Sequence, residues 1–184
     1  MVETSGNDEI MFLTKQGKCI RFDEKNVRSM GRTSTGVRGI RLKKDDEAVE
    51  MTKVKDPETA LLLVVMENGL GKATLLKEYR KQNRGGSGVK TANITKKTGF
   101  IVGGKVIYPN EIADLICFSL QGQTLRIPLN SIPKRGRATQ GVIFMRLKDA
   151  NDKVASITLI PTEIEEKESE GGEEESVKEE TSEG

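Results

Sequence analysis

The sequence predicts an all-β, propeller-like fold: about three repeats of 52–53 residues, each supplying a blade of four short antiparallel strands. Three observations predict it. Gly17, Gly69 and Gly122 each follow a short apolar run at spacings of 52 and 53 residues. Gly36, Gly88 and Gly141 keep the same two spacings, 19 residues after the first set. Arg32, Arg84 and Arg137 stand four residues before the second glycine of each repeat, and Val37, Val89 and Val142 follow it directly. A fixed period of this length marks stacked supersecondary units, none of which can bury both its faces alone.

Each blade is expected to open with an apolar strand, IMFLT (10–14), LLLVVM (61–66) or LICFS (115–119), running into the turns KQG, ENG and LQG. The β-branched content and the turn chemistry of Asn68-Gly69 and Gln121-Gly122 favour strand over a fragment of helix. The second strands are KCIRF (18–22), GKATLL (71–76) and TLRIPL (124–129), with Arg21 and Arg126 in register and Lys72 one place earlier. VRGIRL, VKTANI and VIFMRL follow the second glycine as third strands, keeping Leu42, Ile94 and Leu147 in register, and EAVEMTKV, FIVGGKVI and DKVASITLI close the blades.

Composition narrows the function. With 4% aromatic residues and no Trp, rings for stacking unpaired bases are scarce, which argues against a single-strand binder. No apolar run reaches bilayer length, and MVETSGNDEI has neither the basic nor the apolar region of a secretory signal, so a cytoplasmic protein with no membrane role is expected. Cys19 and Cys117 lie in separate apolar runs and read as buried thiols. The absence of His removes the commonest general base and the commonest metal ligand.

Charge is divided along the chain. Residues 162–184 hold 11 Glu against 2 Lys and are expected to be a disordered acidic tail, leaving 28 basic against 17 acidic residues in 1–161, a net of +11. That is the balance of a polyanion binder, although an even coat of Lys and Arg also serves solubility. The first glycine of each repeat is expected only to supply a positive φ for its turn. The second sits within a cationic, glycine-rich stretch, MGRTSTG (30–36), NRGGSG (83–88) or RGRATQG (135–141), where free backbone amides beside a guanidinium suit phosphate oxygens.

The segments VRSMGRTSTGVRGIRL, GLGKATLLKEYRKQNRGGSGVK and RIPLNSIPKRGRATQGVIFMRL resemble successive blades of the C-terminal β-pinwheel of bacterial DNA gyrase A. The resemblance covers about residues 8–161, after a leader of residues 1–7. It implies the last three of that family's usual six blades, followed by the acidic tail. Family members wrap duplex DNA around a basic rim with positive handedness, so that the whole enzyme introduces negative supercoils. The implied partners are double-stranded DNA, the rest of gyrase A and, through it, gyrase B. ATP and magnesium would be used by other domains, with no cofactor in this chain. The family's hallmark box has the form QRRGGKG; here Gln82, Arg84, Gly85, Gly86 and Gly88 agree, while Asn83 and Ser87 replace its basic residues. Ala73, where the neighbouring repeats carry Arg21 and Arg126, implies a weaker grip by the middle blade. Nothing matches the family's catalytic tyrosine domain. Tyr79 and Tyr108 lie within the repeat pattern, where packing or rim roles are expected, so no catalytic or metal residue is assigned.

The expected phosphate contacts form one cluster per blade: Arg21, Arg28 and Arg32; Lys72, Arg80, Lys81 and Arg84; Arg126, Lys134, Arg135 and Arg137. Two alternatives stay open: the related subunit of topoisomerase IV, and a propeller scaffold whose basic rim recognises an acidic protein.

Overall fold

The computed structural model describes residues 2–162, and the acidic tail beyond Thr162 lies outside them. Each repeat begins with a hairpin: β1 (Glu9–Thr14) with β2 (Lys18–Asp23), β4 (Leu61–Met66) with β5 (Leu70–Leu75), and β8 (Ala113–Ser119) with β9 (Thr124–Pro128). A last long strand returns antiparallel to the first: β3 (Ala48–Val54) to β1, β7 (Ile101–Ile107) to β4, and β11 (Val154–Pro161) to β8. Two very short strands complete the set, β6 (Val89–Lys90) and β10 (Val142–Ile143). Among the described residues no helix is long and apolar enough to cross a membrane.

The sheets are all antiparallel, as expected, but the blades are not made from one repeat each. Their strand orders are β3-β1-β2-β6, β10-β5-β4-β7 and β11-β8-β9. The third strand of a repeat thus leaves its own hairpin and completes the sheet of the preceding one: Cys19 pairs with Val89, and Gly71 with Val142. This corrects the expectation of four strands per repeat in one blade. It also explains why VRGIRL (37–42) forms no strand here, because no preceding second strand lies beside it. Among the described residues the third sheet has three strands, β11-β8-β9.

Swapping creates the core. On β4, Leu62, Val64 and Met66 face the first blade and pack with Met11, Leu13, Cys19 and Tyr79, while Leu61, Leu63 and Val65 face the third and pack with Leu115, Cys117 and Met145. A strand buried on both sides reads as an unbroken apolar run, which is why LLLVVM lacks alternation. The last strands pack in succession, β3 against β7 and β7 against β11, so they form the hub. The swapped strands lie at the opposite edge of the first two sheets, and the connectors that carry them, 80–100 and 133–153, cross the rim, as does the equivalent segment 28–47.

Candidate nucleic-acid interface

The rim is built by connectors that step from one blade to the next. Their path is set by backbone bonds to the preceding second strand: Gln82 donates its amide to the Arg21 carbonyl, and Arg135 donates to that of Ala73. Gly88 and Gly141 then bring the chain against the same strand, with φ of +67° and +82°. A Cβ at Gly88 would stand 2.5 Å from the Cys19 carbonyl oxygen, and one at Gly141 would collide with the Gly71 carbonyl oxygen. Close approach across the joint therefore accounts for Gly88 and Gly141 of the second glycine set, while a Cβ at Gly36 would meet nothing within 4 Å.

The expected phosphate contacts divide by environment. Arg28, Arg32, Arg80, Lys81, Lys134 and Arg135 are exposed on the connectors, at least two per repeat. Lys81 is also paired with Glu9 at 2.7 Å, and that bond raises its pKa. Arg80 and Lys81 line, with Gln82, Asn83 and Gly86, an open groove of about 660 Å³ whose other wall holds Asp23 and Asn26.

Arg84 and Arg137, half-buried, span the joints. Arg84 donates to the carbonyls of Asn26 and Arg38, at 3.0 and 2.6 Å, and Arg137 donates to that of Lys90 at 2.5 Å. Arg38 and Lys90 occupy equivalent places, so the arginine register records a repeated strut between blades. Arg32, the third member, is exposed. In the box-like loop the amides of Gln82 and Gly85 are donated to Arg21 and Gly39, and the Gly86 carbonyl accepts from Arg41. One of the amides expected to be free for phosphate, that of Gly85, is therefore occupied.

Lys72 requires a correction. Expected on the rim, it is 0% exposed, and its Nζ donates to the carbonyls of Gly136, Arg137 and Thr139 at 2.8, 2.6 and 3.1 Å. Burial draws its pKa down to about 8. A buried ammonium holding three carbonyls ties the second blade to the third-blade connector and has no reach to a phosphate. Arg21 is likewise committed inward: it pairs with Glu9 and donates to the carbonyls of Leu76 and Tyr79 in the next blade. Its counterpart Arg126 pairs with Asp114 but keeps a side chain 64% exposed. Ala73 belongs to a coupled change, because Leu61 stands where the other hairpins have Glu9 and Asp114.

Sequence reasoning passed over exposed basic residues beyond the second glycine, Arg38, Arg41, Lys90 and Arg146 among them. The repeat was the available signal, since Arg38 matches Lys90 and Arg41 matches Arg146. Neither tyrosine is placed for chemistry: Tyr79 is buried with its hydroxyl 2.7 Å from that of Thr91, and the Tyr108 hydroxyl accepts from the Lys55 amide. Both cysteines are free and buried, and burial raises both thiol pKa values, that of Cys117 to about 11.

Comparison with known proteins gives the same three units. The family model described as the DNA gyrase C-terminal domain, a β-propeller, matches residues 8–55, 61–107 and 113–161. The DNA gyrase A subunit of Aminobacterium colombiense is 39% identical over 163 residues, 89% of this chain and 19% of that protein. Its counterpart in Staphylococcus aureus is 41% identical over 146 residues, 79% of this chain and 16% of that protein. The chain therefore spans about a fifth of the length of these curated relatives. Among solved structures, a DNA gyrase A C-terminal domain superposes with a TM-score of 0.74 at 27% identity, over 85% of this chain and 52% of that one. A C-terminal domain of DNA topoisomerase IV superposes at 0.78 and 23% identity, over 86% and 48%, a likeness of fold.

Proposed function

Since this chain belongs to the DNA gyrase C-terminal domain family, we propose that it binds duplex DNA without sequence specificity and wraps it around its rim, serving negative supercoiling by a whole gyrase. The observation that carries this reading is the repeated placement of exposed cations on the rim connectors: Arg28 and Arg32, Arg80 and Lys81, Lys134 and Arg135. A curved row of cations neutralises successive phosphates and releases their counterions, so affinity is sequence-independent and falls steeply with salt. Bending 20–30 bp by 40–90° costs about 1–6 kcal/mol, more than one cluster offsets, so the blades act together. Arg38, Arg41 and Arg146 extend the clusters along the same connectors.

In this reading the chain supplies wrapping and DNA cleavage belongs to another part of the enzyme. The rest of gyrase A and, through it, gyrase B are its partners, with ATP and magnesium used there, in the bacterial cytoplasm at the nucleoid. The test is a linking-number measurement. Nicked circular plasmid is bound by the chain, sealed by ligase, stripped of protein and resolved over a salt series. A positive shift that disappears with salt is the expected result. Salt-sensitive binding with no shift would remove wrapping and keep DNA binding; no binding at low salt would overturn the reading in favour of a protein-recognising scaffold.

A further inference from the structure

Each rim connector ends in a tight turn before its last strand, and the turns carry lysines outside the clusters already described. They are Lys43 and Lys44, Lys96 and Lys97, and Lys148, all exposed. Backbone carbonyls, not the ammonium groups, hold the turns in place. Asn68, in the hairpin turn between β4 and β5, donates its Nδ2 to the carbonyls of Lys96 and Lys97 at 3.0 and 3.2 Å. Gln16, in the corresponding hairpin of the first repeat, donates its Nε2 to the carbonyls of Lys44 and Asp45 at 3.3 and 2.9 Å. The Thr95 amide donates to the Thr98 hydroxyl at 2.9 Å, and Gln140, on the next connector, donates its Nε2 to the Thr95 hydroxyl at 3.2 Å. A turn fixed in advance presents its lysines with little further ordering on binding.

These turns stand at the opposite edge of the rim from Arg80 and Lys81. Those two follow the far end of β5, whereas Lys96 and Lys97 sit beside the hairpin turn from which β5 starts; its six residues, at about 3.3 Å each, set the two edges about 20 Å apart. The two clusters of one connector are also displaced along the rim. Lys81 reaches back to Glu9 and Asp23 in the first blade, while Asn68 holds the lysine turn against the second. The displacement matters because a closed path lying in a plane has no writhe, so a wrap that shifts linking number needs a duplex tilted across the rim. A single row of cations leaves that tilt free. Two rows at different heights fix it, since phosphate contacts are what orient a protein on the duplex. We propose that the turns carrying Lys43 and Lys44, Lys96 and Lys97, and Lys148 form a second phosphate-binding row, which grips the wrapped duplex along the hairpin-turn edge and sets its tilt. This row presupposes the duplex wrapping proposed for the rim. The third turn has Asp149 in the place of Lys44 and Lys96, so the first two turns grip more strongly.

The double variant Lys96→Gln/Lys97→Gln, made in the intact chain, removes both charges and leaves the carbonyl contacts of the turn. Its thermal midpoint is expected to match that of the native chain. The slope of log affinity for duplex DNA against log salt is expected to fall by about 1.8, about 0.9 for each of two phosphates. With both proteins saturating nicked plasmid at low salt, the linking-number shift per bound chain is expected to shrink in the variant. A native slope and a native shift in the variant would overturn the second row and leave wrapping by the rim standing. A lowered slope with a native shift would overturn the control of tilt. A native chain that binds no duplex would overturn the rim reading and this row together. Contact is also read directly, because Cys19 and Cys117 are buried and Lys97→Cys therefore offers one accessible thiol for a tethered iron chelate. Hydroxyl radicals from the chelate are expected to cut the bound duplex, and an uncut duplex that stays bound would overturn the row.

Discussion

Arg21 donates its Nε to the Glu9 carboxylate across the first hairpin, and Arg126 makes the same contact with Asp114 in the third. The middle hairpin has Leu61 and Ala73 in these two places, both buried. The pair changes as a unit because each member is costly without the other: the joint beside β2 leaves the Arg21 and Glu9 side chains only 11% and 10% exposed.

Replacing one partner strands the other, so Glu9→Leu or Arg21→Ala alone should cost about 3 kcal/mol. The double variant copies the middle hairpin and should recover a large part of that loss, leaving the cost of the uncapped Leu76 and Tyr79 carbonyls. Denaturant titration of the four proteins in a double-mutant cycle measures the coupling. Losses that simply add would show that the pair is not a unit.

The same pair sets a pH dependence. Burial alone would raise the Glu9 carboxyl, but hydrogen bonds from Arg21 and Lys81 hold it below its ordinary value of 4.5. A carboxylate depressed in the folded state stabilises above its unfolded pKa and loses that contribution as pH falls through the folded one. The stability advantage of the native chain over Glu9→Gln should therefore be constant near neutrality and shrink below about pH 4.5. Unfolding midpoints of both proteins between pH 7 and pH 3 check it, and a gap that widens in acid would reverse the assignment.

Gly88 and Gly36 occupy equivalent positions with different surroundings, which separates conformational strain from collision. Gly36→Ala should cost about 1–2 kcal/mol, the penalty of a Cβ at positive φ in open space. Gly88→Ala adds a Cβ 2.5 Å from the Cys19 carbonyl and should cost roughly twice that or more, through loss of the β2–β6 pairing. Thermal melts compare the two, and equal losses would remove the collision.

The period, the hairpins and the fold class are legible because long apolar runs and glycine spacing carry them directly. The swap is not. β6 and β10 are two residues long, and antiparallel pairing to a repeat's own hairpin or to its neighbour's leaves the same alternation. Lys72 reads as a rim residue because a lysine on a strand suggests solvent. Its register holds the warning, since Ile20 and Leu125 stand there in the other repeats, as they would at a covered position. The arginine register is visible, but a strut to a carbonyl and a contact to a phosphate require the same residue at the same spacing.

That ambiguity is resolved by separating stability from binding. Lys72→Met leaves the carbonyls of Gly136, Arg137 and Thr139 without their buried donor and should cost about 2–4 kcal/mol of stability. Because Lys72 is buried and its ammonium is committed to these carbonyls, the slope of log affinity for duplex DNA against log salt should be unchanged. Arg135 is the converse case, with an exposed side chain on the rim connector and an amide, not a guanidinium, bonded to Ala73. Arg135→Ala should change stability by less than about 0.5 kcal/mol and lower the salt slope by about 0.9, the release from one phosphate. Fluorescence anisotropy with a mixed-sequence duplex over a salt series, beside denaturation of each variant, reads both quantities. A lowered slope for Lys72→Met, or an unchanged one for Arg135→Ala, would move the DNA path away from these connectors.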